Sequence, residues 1–590
     1  MGVPSFFAWW VKIYANTILS NKPPRNTKGH KRVLYLDFNG MIHPAVRDDP
    51  TLPRSEMNAA VCRKLNEIVT AVNPDEIYIA IDGVAPAAKM DQQRDRRFKA
   101  KKESKIKRDI AITHNEPTRD DDVDFNMISP GTEFMWDLQE YLEKHIEDAK
   151  LNTVEWKNKT IILNGSGIPG EGEHKIMHAI RARNESGVKE DSYVCGLDAD
   201  LMFLALGNAH KSVLVRDNVF FRGRDRLDLD PEEYPYVYLD IESLYHILVD
   251  TLKPTTTMEI LRKQKFVNTI GEFDGTYYTG HYSGSKHDDR RLIIDYMYFC
   301  FFLGNDFVPR LPCLKIRDGS LQDIIIIYKR VSWILGEYLI NEDYTINRKF
   351  LFEFLDEIAY IENELLLQQH DARMKSISRF TWRLKGMPPY KRAITDFDFI
   401  ENKYVDTIQH GTPGWRIRYY NYHLKWIYRN EKEFKKNILP VCQAYIDGTV
   451  WILHYYLGLH SNWSYIYPYS VAPSVSDLCD SFSDINLDIK HLDDTPVSPF
   501  VQLLSILPPA SAHLLPLPLQ DLMTDKDSPI HYMYPLKIVL ALMSNRYWHE
   551  CKAWLPHVDQ NILHDIVDMK SKYFTNNEKL RNSLHILKHF

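Results

Sequence analysis

Apolar and polar positions follow two alternating patterns in the first part of the chain. Short continuous apolar runs, typical of strands buried on both faces, are separated by longer stretches of helical periodicity. Strands interleaved with helices favour an α/β fold with a largely parallel central sheet flanked by helices. The runs predict strands at Val33–Leu36, Ile77–Ile81, Thr160–Leu163, Tyr193–Leu197 and Tyr236–Leu239.

The pattern becomes helical near residue 320. From Leu321 onward, long amphipathic runs such as Phe350–Gln369 predict a mostly helical region. No Pro-, Gly- or Ser-rich linker marks the change, so we expect region 321–590 to pack on the α/β region 1–320 and to enclose its active site. Within the first region, residues 207–290 are expected to be a variable segment, with an exposed loop at Gly280–Lys286.

Composition places the chain among folded proteins without a membrane anchor. Hydrophobic residues make up 44% and charged residues 26% of its 590 positions, as in globular proteins. The most apolar run, Leu292–Gly304, is too short to span a bilayer and contains Asp295. The seven cysteines form no C-x-x-C pair, which fits reduced thiols rather than a zinc ribbon. We therefore expect a cytoplasmic monomer without a membrane partner.

The net charge of the chain hides a strongly basic segment. A net charge of -6 argues weakly against a nucleic-acid partner. Between Lys89 and Arg108, however, ten basic residues stand against three acidic ones. The basic charge is therefore concentrated in one segment.

Several acidic residues follow predicted strands or turns at the points where such elements present ligands in α/β folds. Two of these acids lie at the ends of strands or directly after them, and two more follow the glycine-rich turn Gly165–Gly170. Another two acids follow a further strand, and one follows an apolar helix. We expect all of them to meet at one edge of the sheet: Asp37, Asp82, Glu171, Glu173, Asp198, Asp200 and Asp306.

Seven neighbouring carboxylates repel one another and coexist most readily around bound cations. Their hard oxygen atoms favour Mg²⁺ or Mn²⁺. Two such ions would activate water and stabilise the leaving oxygen of a phosphodiester, which predicts a hydrolytic nuclease. The glycine turn does not fit a P-loop, because Glu171 and Gly172 stand where that loop needs Lys and Ser or Thr.

Part of the basic segment can form an anion site. On a helix, positions i, i+4, i+7 and i+8 share one face and can converge on a single phosphate. Arginine supplies bidentate recognition of phosphate and lysine supplies a point charge. The side chains at this spacing are Lys89, Gln93, Arg96 and Arg97.

Further motifs lie along nearly the whole chain: Met1–Pro4, Leu36–His43, Lys89–Phe98, Ser129–Met135, Gly170–Lys175, Leu197–Asp200, Gly304–Phe307, Trp415–Tyr420 and Pro499–Pro508. Together they resemble the Xrn family of 5′-to-3′ exoribonucleases. The resemblance implies a PIN/flap-nuclease-like fold. It also implies stepwise hydrolysis of 5′-monophosphorylated single-stranded RNA to nucleoside 5′-monophosphates.

The resemblance also implies roles for individual residues. The seven acids would bind two Mg²⁺ ions, for which Mn²⁺ can substitute, or support their ligands. Lys89, Gln93, Arg96 and Arg97 would hold the 5′ monophosphate in a pocket too small for a cap or a triphosphate. His43 would stack on a terminal base. A tryptophan would stack from the opposite side, and we assign it to Trp451, with Trp463 as the second candidate.

Two other functions stay open at this stage. A 5′ exonuclease or flap nuclease acting on DNA would use a similar metal site, and no identified residue reads the 2′-hydroxyl of RNA. A non-catalytic RNA-binding scaffold would keep only the phosphate site.

Overall fold

The structure is a computed structural model. It describes residues 10, 13–14, 17–24, 26–47, 49, 52–118, 123–198, 200–218, 233–253, 288–459, 462–488, 494–583 and 588–589. The N-terminal motif Met1–Pro4 and the loop Gly280–Lys286 lie outside these residues, as does most of the segment 207–290.

A mixed eight-stranded sheet forms the centre of the first region. Its order is β1-β7-β6-β5-β2-β3-β4-β10, and the five strands from β6 to β4 run parallel. Antiparallel strands complete both edges. The strands are β1 (Leu19–Ser20), β2 (Lys31–Asp37), β3 (Glu76–Ala80), β4 (Thr160–Asn164), β5 (Glu190–Cys195), β6 (Val213–Asp217), β7 (Tyr236–Asp240) and β10 (Lys588–His589), while β8 (Val539–Leu540) and β9 (Ala553–Trp554) form a separate pair. The largely parallel α/β fold predicted from the sequence is confirmed.

The strand register brings the carboxyl ends of the central strands to one edge. Asp37, at the end of β2, is level with Ala80 of β3, and Leu36 is level with Cys195 of β5. Residues that directly follow β3, β4 and β5 therefore emerge beside Asp37. This edge carries the candidate site.

Helices cover the sheet and then form the second region. In the first region they are α1 (Asn39–Arg47), α2 (Met57–Val72), α3 (Ala87–Thr113), α4 (Glu133–Asn152), α5 (Gly172–Glu185), α6 (Asp200–Asn208), α7 (Ile241–Leu252) and α8 (Asp289–Cys300). In the second they are α9 (Ser320–Leu335), α10 (Arg348–Leu384), α11 (Pro389–Asp398), α12 (Trp415–Leu424), α13 (Glu431–Leu457), α14 (Val475–Ser481), α15 (Pro499–Ile506), α16 (Leu517–Thr524), α17 (Gln560–Lys570) and α18 (Asn576–Arg581).

Successive residues of the strands point to opposite faces of the sheet and pack into two hydrophobic cores, one on each face. Leu34 and Leu36 of β2 face a core shared with α1, α2 and α4. Val33 and Tyr35 face the opposite core, which runs continuously from the sheet through α8 into α9, α10 and α13. The two regions thus share one hydrophobic core. The division at residue 320 remains a prediction, since this core crosses it.

The charged residue in the apolar run 292–304 joins two helices. Asp295 on α8 is fully buried and accepts hydrogen bonds from the Tyr328 hydroxyl at 2.7 Å and from the amides of Leu339 and Ile340, each at 2.8 Å. Such bonds compensate for burying a carboxyl group. None of the described helices is both long enough and apolar enough to cross a membrane.

Candidate active site

A glycine fixes the spacing of the first two carboxylates. The amide of Gly172, at the start of α5, donates a hydrogen bond of 2.7 Å to Asp82 Oδ1. A methyl group at position 172 would lie 2.8 Å from Asp37 Oδ1 and 3.3 Å from Asp82 Oδ1. Asp37 and Asp82 therefore flank the same backbone position, and only glycine leaves room for both.

The turn before α5 carries the next two acids into the same place. Gly170 has φ of +107°, a conformation that favours glycine. Its amide donates to Val84 O at 2.7 Å, and its carbonyl accepts from Gly83 N at 2.9 Å. The turn is therefore fastened to the segment that follows β3. Glu171 and Glu173 are both buried, and Glu171 is near enough to Asp82 to raise the pKa of that carboxyl.

The remaining acids come from the ends of β5 and α8. Arg216 of β6 donates to Asp198 O at 2.6 Å and so fixes the chain after β5. Asp200 is 2% exposed at the first turn of α6. Asn305 accepts from the amides of Phe307 and Val308, which shapes the turn that presents Asp306.

Electrostatic interactions link the seven carboxylates to one another. Burial raises the pKa of Asp37 well above its usual value, and Asp82, Asp198 and Glu171 raise it further. Burial likewise raises the pKa of Glu173, with added contributions from Asp198 and Asp200. Burial raises the pKa of Asp200 to about 6, and Asp306 adds to the effect. These acids lie at the same edge of the sheet, and their role in binding metal stays a prediction.

Lys89 lies inside this acidic cluster. Its Nζ is 2.7 Å from Glu171 Oε2 and 3.1 Å from Asp306 Oδ2. Burial lowers the pKa of Lys89, but Glu171 and Asp306 outweigh burial and raise the pKa well above its usual value. Lys89 thus stays charged and neutralises part of the cluster, a contact that its spacing with the arginines did not predict.

The rest of the predicted phosphate site lies one to two turns further along α3. We call Lys89, Gln93, Arg96 and Arg97 the proximal basic face. Arg97 is 9% exposed, and burial lowers its pKa to about 9, with Arg96 contributing. Burial, and then the positive charges of Arg47, Arg96 and Arg97, lower the pKa of the His43 ring on α1 to about 3.

Buried polar atoms at this face lack partners. Gln93 Oε1, Arg97 Nη1 and His43 Nδ1 make no hydrogen bond with any described residue. Buried groups of this kind are normally satisfied, so these three atoms are available to a polar ligand. Arg96, by contrast, is exposed at the outer side of the face.

The two candidate tryptophans differ in how accessible their rings are to a substrate. Trp451 is 3% exposed and lies between Tyr455 at 4.9 Å and Tyr465 at 5.0 Å, both stacked on its ring. Protein rings therefore cover both of its faces. Trp463 is only half-buried, and its carbonyl accepts from the amide of Ala87 at 2.8 Å, two residues before Lys89. Its position suits contact with a substrate better than that of Trp451.

The second region contributes residues that the sequence patterns did not reveal. The Tyr455 hydroxyl donates to Glu171 Oε1 at 2.8 Å, and the His174 ring stacks on Tyr455 at 3.8 Å. Burial raises the pKa of the Tyr456 hydroxyl well above its usual value, and Asp200 raises it further. Both tyrosines lie in the segment Trp451–Tyr456, close to the candidate tryptophan. The run of aromatic residues at the end of α13 is the sequence feature that could have predicted their contact with the acids.

The cluster has the donor chemistry for a divalent cation. Glu173 Oε2 and Asp200 Oδ1 are buried without a hydrogen-bond partner in the described part of the chain. As they stand, no three Asp, Glu, His or Cys side chains of the described residues form a set that could hold one metal ion. The unpartnered oxygens and the hard carboxylate ligands nevertheless fit Mg²⁺ or Mn²⁺.

Comparisons with known proteins agree with this geometry. A family model described as the XRN 5′-3′ exonuclease N-terminus matches residues 1–218, and one described as the Xrn1 helical domain matches residues 286–387 and 376–587. The chain is 29% identical to 5′-3′ exoribonuclease 2 of Arabidopsis thaliana, over 99% of the chain and 68% of that protein. It is 28% identical to 5′-3′ exoribonuclease 2 of Gallus gallus, over 99% and 71%. With 5′-3′ exoribonuclease 1 of Schizosaccharomyces pombe it shares 28% identity, over 99% and 50%.

Proposed function

Since the chain belongs to the family of XRN 5′-3′ exonucleases, we propose that it hydrolyses single-stranded RNA one nucleotide at a time from a 5′-monophosphorylated end. The products would be nucleoside 5′-monophosphates. That the chain is a 5′-3′ exoribonuclease follows from its family. We further propose that it requires a 5′ monophosphate and uses a two-metal mechanism.

One juxtaposition carries the proposal. The helix α3 begins in the acidic cluster at Lys89 and presents Arg97 two turns later, roughly 12 Å along its axis. A 5′ phosphate held at Arg97 would therefore keep the neighbouring nucleotide close to the acids. The unpartnered Gln93 Oε1 and Arg97 Nη1 support a buried polar ligand at this point.

The acidic residues would hold the metal ions. We propose two Mg²⁺ ions, replaceable by Mn²⁺, held or supported by Asp37, Asp82, Glu171, Glu173, Asp198, Asp200 and Asp306. Such ions activate water and stabilise the leaving oxygen. Tyr455 would act as a positioning residue, because its hydroxyl orients Glu171.

Aromatic rings would grip the terminal bases. The low pKa of His43 keeps its ring neutral near pH 7, so it can stack on a base without attracting the metal-binding acids. We assign the opposite ring to Trp463 rather than Trp451, since both faces of Trp451 are already covered. Stacking contributes about 1 to 3 kcal/mol per base regardless of sequence.

A comparison of 5′ ends tests the proposal. Purified protein in Mg²⁺ is given one RNA sequence with a 5′ monophosphate, a 5′ triphosphate or a 5′ hydroxyl, and release of mononucleotides is followed. We expect the monophosphate to be degraded about 100-fold faster than the other two, because a 5′ hydroxyl lacks the charge that Arg97 would bind, and the family resemblance implies a pocket too small for a triphosphate. The variant Asp198→Ala, or chelation of the metal, should abolish release.

Other outcomes would favour the other functions. Equal degradation of all three RNAs would reject recognition of the 5′ phosphate. Faster degradation of the matching DNA would support a DNA nuclease, and binding without cleavage in both Mg²⁺ and Mn²⁺ would support a scaffold. Cytoplasmic location and a monomeric state remain predictions.

A further inference from the structure

A second basic helix face lies at the far end of α10. We call Lys375, Arg379, Trp382 and Arg383 the distal basic face; they stand at i, i+4, i+7 and i+8 and therefore share one side of the helix. From Lys375 to Arg392 the chain has six basic residues and no acidic one. All six are exposed.

These charges have no counter-ions in the described part of the protein. No described carboxylate forms an ion pair with any of the six, whereas Lys107 nearby pairs with Glu103 at 2.7 Å and Asp398 at 3.1 Å. Like charges at i and i+4, such as Arg379 and Arg383, destabilise a helix by roughly 0.2 to 0.5 kcal/mol per pair. An anionic ligand would relieve that repulsion.

The face also exposes a large aromatic ring. Trp382 is 76% exposed between the two arginines. Two residues earlier, on the opposite side of the helix, Phe380 is buried and stacks on Phe399 at 3.8 Å with an angle of 13° between the rings. The helix end is therefore anchored, and exposure of Trp382 is not a consequence of a frayed terminus.

The distal basic face is joined to the helix that enters the active site. The helix α11 follows α10 directly and packs on α3, where the rings of His114 and Tyr390 are 6.3 Å apart and Lys107 contacts Asp398. From Lys89 to His114 the helix α3 rises roughly 38 Å at about 1.5 Å per residue. Exposed basic residues continue along this part of α3: Lys101, Lys105 and Arg108.

We propose that the distal basic face binds the backbone of the same RNA downstream of the nucleotides held in the active site, with Trp382 stacking on a base. This inference rests on the proposed function. Arginine guanidinium groups match phosphate geometry, and an exposed ring between them matches an unpaired base. An acidic protein would use the charges but would not account for the ring.

Binding measurements with two RNA lengths test this surface. In the full chain carrying Asp198→Ala, the affinities for 5′-phosphorylated RNAs of 6 and 40 nucleotides are measured with and without Arg379→Ala plus Arg383→Ala. We expect the dissociation constant of the 40-nucleotide RNA to rise about tenfold. Its salt slope should fall by about 1.4, since each phosphate that is no longer neutralised lowers the slope by about 0.7. The 6-nucleotide RNA should be affected much less, because few of its nucleotides extend beyond the active site.

A matched pair on another helix serves as the control. Lys432 and Lys436 on α13 are exposed at the same i, i+4 spacing, and their replacement by alanine should change neither affinity. Trp382→Ala alone should weaken binding of the 40-nucleotide RNA about fivefold without changing the salt slope. The melting temperature of each variant should match that of the parent, since all the replaced side chains are exposed.

Two results would overturn the proposal: an unchanged affinity for the 40-nucleotide RNA, or equal losses for both lengths. Failure of the proposed function would look different. A parent chain that binds 5′-phosphate and 5′-hydroxyl 6-nucleotide RNAs equally would contradict recognition of the 5′ end, while a length-dependent loss in the double variant would still support the distal basic face.

Discussion

The proximal and distal basic faces have the same helical spacing and opposite surroundings. The proximal face enters a cluster of carboxylates, with Lys89 7% exposed and in contact with two acids. The distal face points into solvent, and its side chains have no described counter-ion. The first therefore has its geometry fixed by packing, whereas the second is free to adapt to a ligand. The spacing of residues along the sequence predicts which side chains share one side of a helix. Whether that side lines a pocket or faces solvent depends on the elements packed around it.

The largest difference is expected at the first position of each face. Lys89→Ala should lower kcat/KM for a 6-nucleotide 5′-phosphorylated RNA by about 100-fold, because Glu171 and Asp306 lose the cation that holds them in place, and a hydrogen bond to a charged group contributes about 1.5 to 3 kcal/mol. Lys375→Ala should change that value by less than about twofold. Steady-state kinetics measure both, and a similar loss in the two variants would contradict the distinction between a packed and an open face.

The last position of each face separates recognition of the 5′ end from general attraction. Arg97→Ala should reduce the preference for 5′-phosphate over 5′-hydroxyl RNA about 30-fold, since a hydrogen bond to a charged group contributes about 1.5 to 3 kcal/mol. Arg97→Lys should retain part of the preference, because lysine keeps the charge and loses the bidentate geometry. Arg383→Ala should leave the preference intact. The ratio of kcat/KM values for the two RNAs is the measurement.

The packed surroundings of the proximal face depend on the second region. Tyr455→Phe should weaken Mn²⁺ binding about tenfold, because Glu171 loses the hydroxyl that orients it. Electron paramagnetic resonance of free Mn²⁺ measures this directly. Tyr465→Phe is the matched control, as Tyr465 stacks on the other side of Trp451 and its hydroxyl donates to Ala444 O, not to an acid. Equal Mn²⁺ affinities in wild type and Tyr455→Phe would reject the positioning role.

The smallest effect concerns acid pH. The pKa of His43 is about 3 in the folded chain and about 6.5 when unfolded, so the unfolded state takes up a proton first as the pH falls. The stability that the neutral ring contributes is present above about pH 6.5 and is lost progressively toward pH 3. Between pH 6.5 and 4, wild type should lose about 2 °C more in melting temperature than His43→Asn. Parallel curves for the two proteins would contradict the low pKa.

The sequence predicted the sheet edge well because parallel strands impose it. Once β2, β3 and β5 are recognised, the residues after each strand must meet, and the acids at 37, 82, 198 and 200 follow from topology alone. The strand β6 was not predicted, and α10 extends fifteen residues beyond the expected Gln369. Its last turns bury few apolar side chains, so the amphipathic pattern fades there although the helix continues.

Contacts between distant elements could not be predicted in the same way. Whether Trp451 or Tyr455 faces the acids depends on the rotation of α13 about its own axis, which packing against α8 and the rest of the shared core decides. One ion pair of Lys89 joins α3 to the turn that follows α8, and the other joins it to the turn before α5. No local periodicity encodes such a meeting.

Gly172 gives the acidic cluster an unusual kind of rigidity. Its amide donates to Asp82, and the space where a Cβ would stand borders Asp37 Oδ1, so the main chain at this position helps to set the gap between the two carboxylates. Conservative changes in the surrounding cores should therefore leave the gap between these two carboxylates almost constant. One added methyl group at position 172, by contrast, would act as a wedge between them.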